Sequence, residues 1–479
     1  MSKELQNWRD KHLNSISPSF CAAKWYNASL HLGHGYTNSC HLPIPHPISL
    51  EEIKHNPSAL HNTQLKKEAR KMMLEGKRPA ECSYCWKMED IGRDNVADRV
   101  YKSQIYSPED IKVLQDRPWD EDVLLKTVEI SFDRTCNFAC SYCNAGYSTT
   151  WAKDIKQNGA YQNFLTRGAK QYQVDGAWAD RHGKNVDSNP YVDAFFEWWP
   201  ELSKELQEIR VTGGEPSASP NFWKFLEIVK NTESKNLRLA VNSNLGMKPD
   251  ILNRLIDVSH DLPIKEFDLY TSNESFGKHA EYIRDGLIYS EWRANLVNFI
   301  ENANCRAVTI MMTINSLCLF SICEFMDDML KLKETYGWHK PHLDLNILRW
   351  PAFMSPLSLP DFLKEKLHSK LSQWYTDNQN NPLLTEGEKQ QIKRLVDYIE
   401  VVETGHISTE KELRLHFHDF KSFYEQYDRR RGKNLIETFP ELEHWFHSLR
   451  IRRNIKPVTS TYDAGIQNWE IGEYYGKES

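Results

Sequence analysis

The sequence predicts an α/β fold: a parallel sheet curled into a partial TIM-like barrel of six β/α units, flanked by a small Cys-rich N-terminal domain and a helical C-terminal region. Three observations carry that expectation. Six short runs rich in Val, Ile and Leu recur between residues 127 and 348. Helical segments separate them. Three cysteines follow the first run and a Gly-Gly-Glu-Pro turn follows the second, which is where barrel folds carry their working groups.

In order, the strands are expected at Thr127–Phe132, Glu208–Thr212, Leu237–Val241, Ile264–Tyr270, Ala307–Ile314 and Leu343–Leu348. Helices are expected between them at Phe222–Lys230, Ile251–Val258, Ser290–Glu301 and Phe320–Lys333. Tyr147–Gln207 is longer than a plain connection needs, and is read as an insertion placed to cover the barrel mouth. Residues 1–95 form short elements, with one helix capped by Ser49 and a second over Thr63–Glu75 stopped by Gly76. Residues 96–125 are read as a linker, 126–350 as the barrel and 351–479 as the helical region. Within the last, helices are expected at Asp361–Trp374, Glu386–Glu403 and Lys411–Arg431.

The chain has 479 residues, so more than one folded unit is expected. Its 40% hydrophobic, 26% charged and 12% aromatic composition is that of a packed globular protein. A net charge of −6 supplies no field that selects nucleic acid or an anionic membrane, so neither is an expected partner. The N-terminus has no signal-like apolar core and no stretch is apolar enough to span a bilayer, so a cytoplasmic location is expected. Ten clustered cysteines in a reducing compartment point to metal ligation before disulfides.

Cys136, Cys140 and Cys143 stand four and three residues apart in one short loop. Thiolates suit zinc or iron-sulfur clusters, and three ligands around a four-iron cubane leave one iron open to a small molecule. An open position is also what separates a reactive metal site from a closed structural one.

This Cys-x-x-x-Cys-x-x-Cys loop after a first barrel strand resembles the radical SAM superfamily. The resemblance implies a 4Fe-4S cluster that binds S-adenosylmethionine, cleaves it reductively to a 5'-deoxyadenosyl radical and so abstracts hydrogen from a substrate. Tyr142 matches the family's aromatic position against the adenine. Thr212-Gly213-Gly214-Glu215-Pro216 is similar to the family's Gly-Gly-Glu-Pro motif, which holds the methionine amino group. Two glycines let backbone approach a ligand closely and the proline stiffens the turn. Asn242, Ser243 and Asn244 fall where the family places ribose contacts, and Ser272 matches a strand-five serine. Arg284, in Tyr282-Ile283-Arg284-Asp285-Gly286, is placed to reach substrate or the cofactor carboxylate. A solvated or capping role is the alternative for these last five residues.

Cys21, Cys40, Cys82 and Cys85 make a second, four-thiol set, and spacing alone does not separate zinc from an iron-sulfur cluster. Cys21-x-x-x-Trp25, Gly35, Cys40 and Gly76-x-x-Pro79-x-x-Cys82-x-x-Cys85-x-x-x-Glu89 resemble the twitch or SPASM-like auxiliary-cluster module. That implies a second 4Fe-4S cluster with a redox role. The module precedes the barrel instead of following it, and Lys24 stands where proline commonly precedes the tryptophan. His41 is read as a surface histidine, Cys305, Cys318 and Cys323 as buried hydrophobes, and the basic runs at 428–433 and 450–453 as solvated faces. The expected reductant is flavodoxin or ferredoxin, and the expected substrate a peptide or protein. A sugar, nucleotide or cofactor precursor is the alternative substrate, and a non-catalytic zinc-stabilised binding protein the alternative of another class.

Overall fold

The computed structural model describes residues 2–92, 95–174, 189–400, 409–453 and 455. The expected helical residues 401–403 and the insertion residues 175–188 lie outside them.

Eleven strands occur in chain order: β1 Asn27–His31, β2 Tyr36–Asn38, β3 His46–Pro47, β4 Thr127–Ser131, β5 Ala139–Cys140, β6 Glu208–Thr212, β7 Ser234–Ser243, β8 Ile264–Ser272, β9 Arg284–Asp285, β10 Ala307–Ile314 and β11 His342–Ile347. Nine form one sheet in the order β11-β10-β8-β7-β6-β4-β1-β2-β3, and β5 pairs with β9. The six expected strands are there, all parallel, with β11 at one edge of an open sheet.

Strand β1 adds a seventh parallel member. It pairs with β4 from Asn27↔Thr127 to His31↔Ser131, and β2 and β3 continue the sheet antiparallel. The boundary expected near residue 95 therefore does not separate two sheets.

Helices Pro220–Lys230, Pro249–Asp261, Tyr289–Asn302 and Ile322–Tyr336 connect the parallel strands. Residues alternate across a strand, and one alternate set, including Ile130, Val211, Leu239 and Leu269, is fully buried in the core these helices share. The other set, including Glu129, Arg210, Asn242 and Tyr270, is only partly buried and makes the open face of the sheet.

Ser49 and Thr63 cap helices Leu50–His55 and Gln64–Leu74 as expected, accepting from Glu52 N and Lys66 N. Residues 96–125 are not a linker: they form helices Asp98–Ser103 and Pro108–Val113. Val100, Tyr106, Ile111, Leu114 and Val123 close a second core with Phe20, Trp25, Met73 and Trp86. The apolar spacing of those residues was hidden by the surrounding charge.

At the C-terminus, Glu410–Arg431 begins in a capping box of Thr409 and Glu412 and ends at Gly432 in left-handed conformation. Its expected solvated basic end is turned inward. Arg430 packs 3.8 Å over Tyr161 and Arg431 4.4 Å over Trp151, both side chains being 6% exposed. Asp154 and Asp285 neutralise them, which lets these two side chains be enclosed while Arg429 stays exposed. The described part of the insertion packs against this helix: Asp419 accepts from Leu165 N, Thr166 N and Thr166 Oγ1.

Candidate cluster and cofactor site

Strand β4 ends at Ser131, and the cysteine loop follows under tight backbone control. Thr149 Oγ1 accepts from Cys136 N at 3.1 Å, and Thr150 Oγ1 donates to Cys136 O at 2.7 Å. Cys140 lies in β5 and pairs with Arg284 of β9, while Trp151 Nε1 donates to Cys140 O at 2.9 Å. Cys143 N closes a turn onto Cys140 O. Tyr172 OH donates to Ser141 O and Tyr427 OH to Tyr282 O, so the insertion and the C-terminal helix both brace the loop from behind.

Burial pushes all three thiols up, Cys136 to about 12; neighbouring thiols add to it at Cys136 and Cys143, whereas the Arg284 guanidinium opposes it at Cys140. Their ionisation therefore calls for a bound cation, and metal ligation is proton-coupled at such a site. The donor set is soft, and spread along a loop of eight residues.

The Gly-Gly-Glu-Pro turn lies against this loop. A Cβ on Gly214 would meet Thr135 O at 2.2 Å, and Gly213 has φ +130 with Asp133 O at 2.8 Å, so only glycine fits. Glu215 N donates to Thr135 O at 2.6 Å. Its carboxylate is 2% exposed and accepts from Ser217 N, Ser217 Oγ, Ser243 Oγ and Asn244 N. Pro216 opens the short turn Pro216–Ala218. Asn244 Nδ2 reaches Asn137 Oδ1 at 2.8 Å, tying the β7 end to the cysteine loop.

On the other side, Tyr142 OH donates to Glu274 at 3.2 Å, and Arg284 Nε and Nη2 donate to the same carboxylate at 3.0 and 2.5 Å. Arg284 Nη1 is 3.8 Å from Cys140 Sγ. Glu274 is 0% exposed. The sequence reading passed over it, although a carboxylate after a barrel strand in Asn273-Glu274-Ser275 was a legible signal. Expected site residues thus fall into two groups flanking the cysteines: Glu215, Ser243 and Asn244 on one side, Tyr142 and Arg284 on the other. Asn242 and Ser272 join neither group; they stand on the open sheet face, in register with Tyr270 and Met311.

Residues 130–317 match the family model described as "Radical SAM superfamily". The match spans less than half of the chain. No curated protein matches the sequence. Two solved structures are similar over part of their length. "Native anSMEcpe with bound AdoMet" is 12% identical with a TM-score of 0.34, and the match covers 54% of this chain and 63% of that one. "Native anSMEcpe with bound AdoMet and Cp18Cys peptide" is 13% identical with a TM-score of 0.31, covering 53% and 61%. The chain thus spans less than two thirds of either.

Outside the matched stretch, Cys21, Cys40, Cys82 and Cys85 line one pocket with Lys24, Met73, Trp86, Arg99 and Lys102. Burial raises Cys40 to about 12 and Cys82 to about 11. Lys24, 2% exposed, pairs with Glu81 beside them, so the residue departing from the module's pattern places a cation at the thiols. Glu89 pairs with Arg99 at 2.7 Å. His41 is 57% exposed and 3.7 Å from Asp98, a surface position. Among the described residues, no three His, Cys, Asp or Glu side chains converge on a point that a single metal ion would occupy. Cys318 and Cys323 are buried and Cys305 partly so. No helix among the described residues is long and apolar enough to cross a membrane.

Proposed function

We propose that the chain is a radical SAM enzyme in which Cys136, Cys140 and Cys143 ligate a 4Fe-4S cluster and the residues around them seat S-adenosylmethionine. When bound, the cluster and S-adenosylmethionine supply a 5'-deoxyadenosyl radical that takes hydrogen from the substrate. The observation that carries this reading is the loop of three partly buried thiols at the end of a parallel strand, pressed by Gly213 and Gly214, within a stretch the superfamily model matches.

The chain's own residues do the positioning. Gly213 and Gly214 bring backbone against the loop, and Glu215 anchors the turn that faces an ammonium group. Tyr142 offers a ring held by Glu274, and Arg284 supplies a fixed cation beside Cys140. Ser243 and Asn244, beside Glu215, and Ser272, on the open sheet face, stand at the strand ends proposed for the ribose. The four N-terminal thiols hold a second 4Fe-4S cluster, for which the shared pocket and the cation at Lys24 are the support. Four protein ligands suit a redox role, accepting an electron from the substrate radical, with flavodoxin or ferredoxin as the external reductant.

Anaerobic incubation with S-adenosylmethionine and dithionite tests the reading. Formation of 5'-deoxyadenosine, abolished in Cys140→Ala and retained in part in Cys82→Ala, is the expected result. Undiminished cleavage by Cys140→Ala would refute the assignment. Metal analysis of the Cys82→Ala protein separates a second cluster from zinc.

A further inference from the structure

The open face of the barrel sheet carries charge in registered rows. Parallel pairing places Ser29, Glu129, Arg210, Ala240 and Asp268 side by side on five adjacent strands. Glu208, Arg238 and Glu266 form the row nearer the N-terminal end. Asn242 and Tyr270 are neighbours in the row nearer the cysteines. A row is about 7 Å from the next on the same face, so Glu129 and Arg210 stand one such step inside the ends of β4 and β6.

These rows differ in how their charges are met. In the inner row, Arg238 donates to Glu208 at 2.6 Å, to Asp268 at 2.6 Å and to Tyr270 OH at 2.9 Å. Arg306 adds a second cation to Asp268 and one to Glu266 at 3.2 Å. That floor is saturated by direct contacts, two guanidiniums meeting three carboxylates. Glu129 and Arg210 are not: neither forms a direct ion pair or a hydrogen bond among the described residues. Arg210 lies 4.4 Å from the centre of the Tyr270 ring, a cation–π contact that leaves its N–H fork free. Glu129 is partly buried, and the cations that act on it are Arg210 and Lys102. Nearer the cysteines, Asn242 Oδ1 is buried without a hydrogen-bond partner.

Two opposite charges on adjacent strands, roughly 4.8 Å apart at the backbone, feel each other's field without direct contact; with a spare acceptor above them, they suit a ligand that is itself a zwitterion. We propose that the open sheet face binds a free α-amino acid, its carboxylate on Arg210, its ammonium on Glu129, and a further N–H on Asn242. The guanidinium fork takes a carboxylate bidentately. This narrows the expected peptide to one amino-acid unit free at both ends. It rests on the radical SAM reading for its catalytic meaning but not for its test.

The test is binding to the full-length, anaerobically purified protein. Saturation-transfer NMR with an equimolar mixture of the twenty amino acids identifies the ligand, and calorimetry then measures its Kd beside those of its methyl ester and N-acetyl derivatives. At least one amino acid is expected to bind, each derivative at least tenfold more weakly. Arg210→Met should weaken the free amino acid at least tenfold. The isosteric Glu129→Gln, which preserves the fold if the arginine variant does not, should bind the free and N-acetylated forms alike. No saturation transfer to any amino acid, equal affinity for the blocked forms, or preference for a tripeptide capped at both ends overturns the proposal. Because no readout involves S-adenosylmethionine cleavage, loss of 5'-deoxyadenosine formation with binding intact would count against the radical reading alone.

Discussion

Gly214 lies where the turn after β6 meets the cysteine loop, and the carbonyl of Thr135 occupies the space a side chain would need. Gly214→Ala must push the loop aside, and since the obstacle is backbone the strain is felt by the ligands themselves. A loss of about 1–3 kcal/mol is expected from such overpacking, together with reduced iron content at the three-cysteine site, read by iron analysis and denaturant unfolding. Glu274 sits at the opposite flank as the counter-charge for Arg284, both fully enclosed. Glu274→Ala leaves the guanidinium unpaired in the core, which costs about 3–5 kcal/mol. The unfolding midpoint should fall accordingly, and restoring a carboxylate with Glu274→Asp should recover part of it. Cysteine spacing made the ligands readable from sequence, because a metal site needs specific donors at short range. Glu274 and the row of Glu129 and Arg210 were harder to see. Their partners are set by sheet register, which a one-dimensional pattern reveals only as polar alternation in Thr127-Val128-Glu129-Ile130-Ser131 and Glu208-Ile209-Arg210-Val211-Thr212.

At the level of elements, the helix Glu410–Arg431, from outside the superfamily-matched stretch, and the segment 161–172, an insertion within it, hold the cysteine loop. Asp419→Ala removes the acceptor of two backbone N–H groups, an unsatisfied burial worth about 1–3 kcal/mol each. Amide exchange at Leu165 and Thr166 should quicken markedly, with a smaller effect on the barrel strands. The β1–β3 extension carries a pH signature. Burial lowers His31 to about 4 and His46 to about 3, whereas the unfolded imidazoles titrate near 6.5. Between those values the unfolded chain binds more protons, so stability is full above pH ~6.5 and is lost as pH falls toward 4. Unfolding midpoints measured by tryptophan fluorescence should drop between pH 7 and 5, and the slope should flatten when His31 and His46 are both replaced by Gln. The helices capped by Ser49 and Thr63 were legible because capping is local. The inward turn of Arg430 and Arg431 was not, since Asp154 and Trp151 lie far away in sequence.

Across the whole molecule, the barrel's six strands followed from periodicity, but the seventh did not. Asn27–His31 is short and stands among residues read as a separate cysteine domain, and its pairing with Thr127–Ser131 spans 100 positions. The consequence is mechanical unity: the N-terminal thiols and the barrel share one sheet, and residues 96–125 seal the second core instead of spacing two domains. Removing residues 1–95 should expose the β4 edge and give insoluble protein. Sequence reading set the two groups of cysteines in separate domains and missed how closely those segments are joined, because parallel long-range pairing leaves no local trace.

The central claim is that three thiolates leave one iron of a cluster open to S-adenosylmethionine. Electron paramagnetic resonance of the reduced, anaerobic protein, with and without S-adenosylmethionine, reads that open iron directly. A four-iron signal that shifts on adding S-adenosylmethionine, survives Cys82→Ala and disappears in Cys140→Ala is the predicted result. A signal indifferent to S-adenosylmethionine, or one that persists unchanged in Cys140→Ala, would contradict it.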